Sequence, residues 1–596
     1  MNYISLSNLS KDVQQIGKSV TNLDTPAVDT TIDISIIKNI HSTNTTTPGG
    51  AFDWARTVDG SSSDVGRAVA TDPSGNVYIA GNYNGTAVIL SGTTTLHTLP
   101  ASSGGNGGFI IKLTSAGAFE WARTIDGSAG DIAMNIATDT TGNVYVTGFY
   151  QNTATILQGS TALHTLPGTS GGGQGAFIVK LTSTGAFDWA RTIDSSSGDE
   201  GSGITTDTSG NVYIIGYYRG NATIWQGSTS LHTLPATTGG SLGGFIVKLT
   251  SAGAFDWARI VDGTGSDTAN GIATDATGNV YVTGYYQQTA AILSGSTTLH
   301  TLPASTGSTS AFIVKFTSVG ALDWVRVIDS SATEESIGIA TDASGNVYVT
   351  GYYQGTASIF HGTTTLSTLP AISSGTNDAF IVKFTTNGTF DWARVIEGSS
   401  SSEVGYDIAT DATGNVYIIG NYHGTARILN GSGFILHTLP ATSGGSSGTF
   451  IVKLTSTGSF DWARVVDGSS TEEGYGIVTD TTGNVYITGY YLGTASILSG
   501  STTLHTLPAT SSGSAGAFIV KLSGGGTIFN MVPYTLSPPL QDEFKEKYIY
   551  HATSSNSSIA TINHVNATSN VIKTETLNAG KIGVWYWLDG NWVRTN

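Results

Sequence analysis

The sequence predicts an all-β fold, a seven-bladed β-propeller of four-stranded blades. Three observations carry that expectation: a hairpin that returns seven times, a long period containing four strand-like segments, and repeat boundaries that fall out of step with the array's ends.

The hairpin is first met as VGRAVATDPSGNVYIA, from Val65 to Ala80. Its turn is Asp72-Pro73-Ser74-Gly75. An Asp opening such a turn accepts backbone N–H groups, Pro presets φ, and Gly takes the positive φ that closes a short loop with a bulge. The flanks are β-branched, aromatic and small residues without helical spacing, which suits buried strands. The turn returns at Asp139, Asp207, Asp275, Asp342, Asp411 and Asp480. Seven carboxylates around an axis invite a metal, but the turn accounts for them without one.

The period is marked by Trp54, Trp121, Trp189, Trp257, Trp324, Trp392 and Trp462, at intervals of 67 to 70 residues. Each copy holds FDWARTV, GRAVATD, GNVYIAG and, after an insert, GGFIIKL, or close variants of them. The first copy starts at the FDWARTV strand (Phe52 to Val58), and the last ends at Phe518-Ile519-Val520-Lys521-Leu522 with no FDWAR strand after it. One blade is therefore split between N- and C-terminal strands, which closes the ring and removes exposed edges. With GRAVATD innermost, the D-x-x-G and T-S-x-G-A turns share one face. The opposite face receives the acidic loop before the inner strand and the insert from Asn82 to Pro100, with its LHTLP ending.

The domain order expected is residues 1–48, a helix and linker; 49–526, the propeller; and 527–596, a hinge and small β domain. Leu6, Leu9, Val13, Ile16, Val20 and Leu23 are spaced as a coiled-coil seam over roughly two and a half heptads, too short to stand alone, so it predicts a homo-oligomer or a helix docked on a surface. Beyond residue 526 come a Pro-rich hinge, a charged run from Asp542 to Lys547, and aromatic strands around Asp589-Gly590 that read as a hairpin.

Charged residues make up 11% of the chain and the formal net charge is −17. That balance argues against nucleic-acid binding, which needs clustered Lys and Arg, and against anionic membranes. There is no cysteine, hence no disulfide, thiolate metal site or cysteine nucleophile. The first residues lack the apolar core of a secretory leader, and no stretch approaches a membrane span.

Two further acids recur in each copy. Asp59, Asp126, Asp194, Asp262, Asp329, Glu397 and Asp467 end the FDWAR strand; Asp64, Asp131, Asp199, Asp267, Glu334, Glu403 and Glu472 stand just before the inner strand. The second set is expected to ring the mouth of the central channel, solvated or holding a cation such as Ca²⁺, although no dense calcium-loop spacing is present. No other cofactor is implied. His97, His164, His232, His300, His437 and His505 recur in LHTLP, with Ser367 in the remaining copy. On separate blades they are too far apart to share a zinc ion, so packing is their expected role. The seven Trp residues are expected in the core between blades. Arg56, Arg123, Arg191, Arg259, Arg326, Arg394 and Arg464, with Lys112 and its six equivalents, are expected to pair with strand carboxylates such as Asp53 and Glu120. No nucleophile elbow, phosphate-binding glycine loop or HExxH is present.

The D-x-x-G-N-V-Y-[VI]-x-G element with its trailing F-I-V-K strand resembles the SBBP beta-propeller repeat family from residue 49 to about residue 525. The resemblance implies the fold and almost nothing about function. The ending G-x-W-x-W-x-D-G-N-W is similar to C-terminal modules of phage and large-virus fibre proteins, over fewer than about twenty residues.

Symmetry decides the functional expectation. A catalyst needs different groups converging on one atom, whereas near-identical blades present the same chemistry seven times. A non-enzymatic scaffold or adhesion module follows, binding protein or carbohydrate through the face with the acidic loops and LHTLP inserts, on a virion or other surface assembly. The alternatives are a propeller lyase or hydrolase acting at the channel mouth and a calcium-stabilised structural protein. The place where copies differ is a ring before the inner strand: Arg67, Asn135, Ser202, Asn270, Ile337, Tyr406 and Tyr475.

Overall fold

The computed structural model describes residues 46–47, 49–370, 376–398, 402–443, 446–524 and 526–527, and the C-terminal strands Ile549–Thr553, Ala560–Val565, Val571–Leu577, Ile582–Leu588 and Asn591–Thr595. The N-terminal helix with its heptad seam and the Pro-rich hinge lie outside the described residues. The chain divides into two units, Thr47–Gly526 and a second made of Met1–Thr46 with Thr527–Asn596. Among the described residues no helix is long and apolar enough to cross a membrane.

The first unit is a seven-bladed β-propeller. The four expected strands are present in every blade, and two more are added outside them. Outward from the axis, one blade runs Val65–Thr71, Val77–Asn84, Asn106–Leu113, Phe119–Gly127, Ala154–Gln158 and Thr161–Thr165, all antiparallel. The outer pair comes from the insert of the following copy. In sequence that insert reads as a polar loop, because its threonines and glycines carry no strong apolar alternation. It becomes a hairpin because the FDWAR strand offers it an edge: Thr57 pairs with Leu90 and Gly60 with Ala87.

Closure is by three strands from each end. Glu472–Thr479, Val485–Leu492 and Ala515–Leu522 share a sheet with Phe52–Gly60, Ala87–Ser91 and Thr94–Thr98, and Phe52 to Val58 pair with Leu522 to Ala517. The inner strands are also tied in a circle. Thr71 Oγ donates to the carbonyl of Thr479, Thr479 to Thr410, Thr410 to Thr341, Thr341 to Thr274, Thr274 to Thr206, Thr206 to Thr138, and Thr138 back to Thr71, at 2.7–3.1 Å. This ring lies at the ends of the inner strands that lead into the D-x-x-G turns.

The repeat signature is legible in the turn. Asp139 Oδ1 accepts the backbone N–H groups of Thr141 and Asn143 at 2.9 Å each and the hydroxyl of Thr141 at 2.7 Å, while Oδ2 accepts Asn143 Nδ2 at 2.9 Å and the Tyr145 hydroxyl at 3.0 Å. Gly142, at φ 80°, closes the loop. D-x-x-G-N-V-Y is thus one hydrogen-bonded unit: the Asn and Tyr are there to bond the Asp.

Blades are clamped together by the other invariant positions. Lys112 Nζ pairs with Glu120 at 2.8 Å and donates to the Ser183 carbonyl of the next blade at 3.1 Å, the same oxygen that Trp121 Nε1 reaches at 3.2 Å. Arg123 Nε donates to the Gly185 carbonyl at 2.7 Å and stacks over Trp121. The lysines pair with carboxylates as expected, Lys521 with Asp53 included. The arginines instead spend their donors on turn carbonyls. Gly185 sits at φ 77°, and a Cβ there would also lie 2.9 Å from Trp121 Cδ2, which is why this turn needs glycine. At the seam, Gly49 and Gly50 replace the turn, accepting from Arg464 at 2.7 Å each.

Of the second unit, Ile549–Thr553, Ile582–Leu588 and Asn591–Thr595 form a three-stranded sheet, and Ala560–Val565 pairs with Val571–Leu577. The strands flanking Asp589-Gly590 pair as the hairpin expected, Leu588 opposite Asn591 and Trp587 opposite Trp592.

Candidate functional site

Every inner strand carries a β-bulge at the same place. Register slips by one residue between Gly66 and Ala68, Gly201 and Gly203, Ala269 and Gly271, Ser336 and Gly338, Gly405 and Asp407, and Gly474 and Gly476, and likewise around Met134. A bulge leaves one residue unpaired and re-aims its side chain. The residues so released are Arg67, Met134, Ser202, Asn270, Ile337, Tyr406 and Tyr475, and all line a central cavity of about 390 Å³. Met134, not Asn135, is the equivalent of Arg67. Asn135 pairs with Thr147 one position further on and lines the same cavity, where most copies have Gly or Ala and one has Asp407.

Around this ring the cavity mixes charge, amide and aromatic groups. Glu200 Oε2 accepts the Tyr217 hydroxyl at 3.0 Å. Glu335 accepts the Tyr352 hydroxyl at 2.7 Å and Asn270 Nδ2 at 2.9 Å, and Glu473 accepts the Tyr475 hydroxyl at 2.7 Å. Arg67 Nε donates to Asn82 Oδ1 at 3.0 Å, and its guanidinium lies 5.5 Å from the Tyr475 ring centre. Tyr406 meets Tyr475 edge-on at 5.1 Å. Burial raises the pKa of Glu200 and Glu335 despite these bonds, and holds Asp407 at about 7 although it accepts the N–H groups of Ile408 and Ile477. Deeper in, Val69, Ile204, Ile272 and Ile339 make the wall apolar.

Sequence reasoning misses Glu200, Glu335, Glu473 and Asp407. For the three glutamates the signal is a column seven residues before the turn Asp, which reads Val65, Ile132, Glu200, Thr268, Glu335, Val404 and Glu473. A glutamate has no place in a strand buried on both faces, so its appearance there marks a wet face.

The seven acids expected at the channel mouth are not there. Asp64, Asp131, Asp199, Asp267, Glu334, Glu403 and Glu472 are wholly buried where the chain crosses from one blade to the next. Each faces the N–H at the end of a preceding FDWAR strand and, in most copies, a second N–H ending a strand of its own blade: Glu403 accepts Gly398 N at 2.8 Å and His423 N at 3.3 Å. Burial lifts them to about 7 for Asp131, Asp199, Glu334 and Glu403 and about 8 for Asp64, Asp267 and Glu472. The other acidic set is structural too: Asp126 accepts the N–H of Ser103 at 3.0 Å and its hydroxyl, anchoring the end of an insert.

Five of the six histidines stack flat on the Phe that opens the FDWAR strand of an adjoining blade, His97 on Phe119 at 4.6 Å and His505 on Phe52 at 4.3 Å, while the strand next to His300 opens with Leu322. Six of the seven Trp residues are buried, at 7–8% exposure, and Trp121 is partly so. Among the described residues no group of three or more His, Asp or Glu is placed to hold a metal ion.

With the repeat's geometry in view, comparison with known proteins is direct. The model of the SBBP beta-propeller repeat matches residues 189–217 and 256–285. Two of the seven copies match that repeat. A WD repeat-containing protein of Acanthamoeba polyphaga mimivirus is 27% identical over 438 residues, 64% of this chain and 32% of that protein, so the chain spans about a third of its relative's length. Among solved structures, the Cps50 (Swd1) propeller domain of Myceliophteria thermophila aligns with 78% of this chain and 99% of its own at 9% identity and a TM-score of 0.30. A protein from Lactobacillus plantarum aligns with 74% of this chain and 98% of its own at 11% identity and a TM-score of 0.31.

Proposed function

We propose that this SBBP propeller is a non-enzymatic binding scaffold whose ligand, a protein segment or a carbohydrate, engages the loop-bearing face at the channel mouth. One observation supports it. The invariant Asp, Trp, Arg and Lys positions and the recurring His are occupied within and between blades, whereas the bulge ring varies from copy to copy and opens into the cavity. The reading moves the ligand site from the repeated acidic loops to Arg67, Asn270, Tyr406 and Tyr475 with their neighbours. A setting on a virion or surface assembly draws on the mimivirus relative.

The test is a glycan array together with crosslinking capture of protein partners, using the full chain and the variants Tyr406→Ala and Arg67→Ala. The expected result is binding that both variants abolish while their melting curves match the parent. No ligand on either platform, or one indifferent to both variants, refutes the scaffold reading. Turnover of the captured ligand would replace it with the lyase or hydrolase reading, which the unlike groups of the ring also permit.

A further inference from the structure

We infer that the ligand carries a protonated alkylamine, drawn into the central cavity by the combined negative charge of Glu200, Glu335 and Asp407, with its hydrocarbon stem against the aliphatic wall of Val69, Ile204, Ile272 and Ile339. This rests on the channel mouth being the binding site and names the chemistry it selects.

Charge is the first reason. Glu200, Glu335 and Asp407 line one open-mouthed cavity with a single cation, Arg67, so the lining carries an excess of two negative charges when ionised. Arg67 is already engaged, its Nε by Asn82 and its guanidinium face by Tyr475. Like charges around one cleft with low-dielectric walls repel, and an entering cation relieves that repulsion.

Shape and chemistry narrow the cation. The carboxylates stand on different blades and do not converge to coordinate a metal ion. A cavity of about 390 Å³ has the size of a small-ligand site. Its wall passes from carboxylate and tyrosine to Val69, Ile204, Ile272 and Ile339, which suits a group with a charged head and an apolar stem. Tyr406 and Tyr475, edge to face at 5.1 Å, line the same cavity, and Arg67 over the Tyr475 ring shows that this pocket already seats a cation on an aromatic face. Neutral sugars gain little from the excess charge, which is why an amine is preferred. The amine's source is either a free small amine or a lysine side chain of a protein.

The experiment is calorimetric titration of the full chain at pH 7.5 and low salt. The probes are n-hexylammonium, n-hexanol, an acetylated and amidated Gly-Lys-Gly peptide, its norleucine counterpart, and N-acetylglucosamine. The ammonium probes are expected to bind at least about tenfold more tightly than their neutral partners and to weaken with salt. Glu335→Gln and Glu200→Gln should each weaken binding by about tenfold, and Arg67→Gln should strengthen it by removing the competing charge. Preference for hexylammonium identifies a free amine, and preference for the lysine peptide a protein partner. Equal binding of charged and neutral partners, binding of the sugar alone, no amine binding, or amine binding indifferent to both Glu variants overturns the inference. If Glu335→Gln fails to fold, Glu200→Gln and Arg67→Gln carry the test in opposite directions. Should amines fail while Tyr406→Ala still abolishes array or crosslinked binding, only the ligand class falls; should both fail, the site itself falls.

Discussion

Two rings of seven carboxylates run through this propeller, and they meet opposite fates. The turn acids are surrounded by donors: Asp275, Asp411 and Asp480, like Asp139, each accept two backbone N–H groups, a threonine hydroxyl, an asparagine amide and a tyrosine hydroxyl. Burial alone would raise these four, but the donors outweigh it and hold them below the usual carboxylate range. The acids at the blade crossings are more deeply buried and have fewer donors. Neither oxygen of Asp64 makes a well-formed hydrogen bond, and burial raises all seven to about 7 or 8. Both rings are carboxylates recurring once per blade; the number of N–H and O–H groups delivered to each carboxylate decides whether its charge is welcome.

The comparison breaks most visibly at the turn. Asp275→Ala leaves five donors without an acceptor and is expected to cost about 2–3 kcal/mol, read as a lower denaturant midpoint at unchanged slope. A stability equal to the parent's would mean that the turn Asp is not what holds the hairpin.

The pH dependence of stability is the next largest effect, and its sign follows from proton counts. Between about pH 4 and 8 the crossing acids hold more protons folded than unfolded, so stability falls as pH rises through their folded values of about 7 and 8. The turn acids do the reverse, their contribution being present above the unfolded carboxylate range and lost as pH falls toward their lower folded values. The stacked histidines, lowered by burial, lose stability once pH drops below the ordinary histidine range. The melting temperature is therefore expected to rise by about 5 °C or more from pH 8.5 to 6.5 and to fall again below about pH 4. A flat profile between pH 8.5 and 6.5, measured by scanning calorimetry, would contradict the assignment of the crossing acids.

The smallest effect sharpens the same point at one residue. Asp131→Asn keeps the shape and removes the charge, so it should stabilise the propeller by about 1 kcal/mol at pH 8.5, where burying the ion is costly, and lose that advantage at pH 5.5, where the native carboxyl is already neutral. Chemical denaturation at the two pH values reads the difference. A variant destabilised equally at both would show that Asp131 acts through its shape and not its charge.

Much of the fold is legible before any coordinates, because it rests on local chemistry. Asp72-Pro73-Ser74-Gly75 specifies its own turn, and the strands cut at both ends of the array imply ring closure by topology alone. The candidate site is legible in part. The varying column was found at Arg67, Tyr406 and Tyr475, but in the second copy it falls on Met134 and not Asn135, since a bulge shifts which residue leaves the ladder and a one-residue slip turns a side chain to the other face. The outer hairpin is weak in sequence because its strands are made by the edge they pair with.

By itself the amino-acid sequence determined the hairpin, the count of seven and the closure, all set by residues near one another in the chain or by where the repeats begin and stop. Tertiary structure alone decided which acids are buried, that the arginines reach turn carbonyls of the next blade, and that Glu200, Glu335 and Asp407 share one cavity. Those outcomes depend on groups about 60 or more residues apart brought together by the circular arrangement, and no local pattern records them.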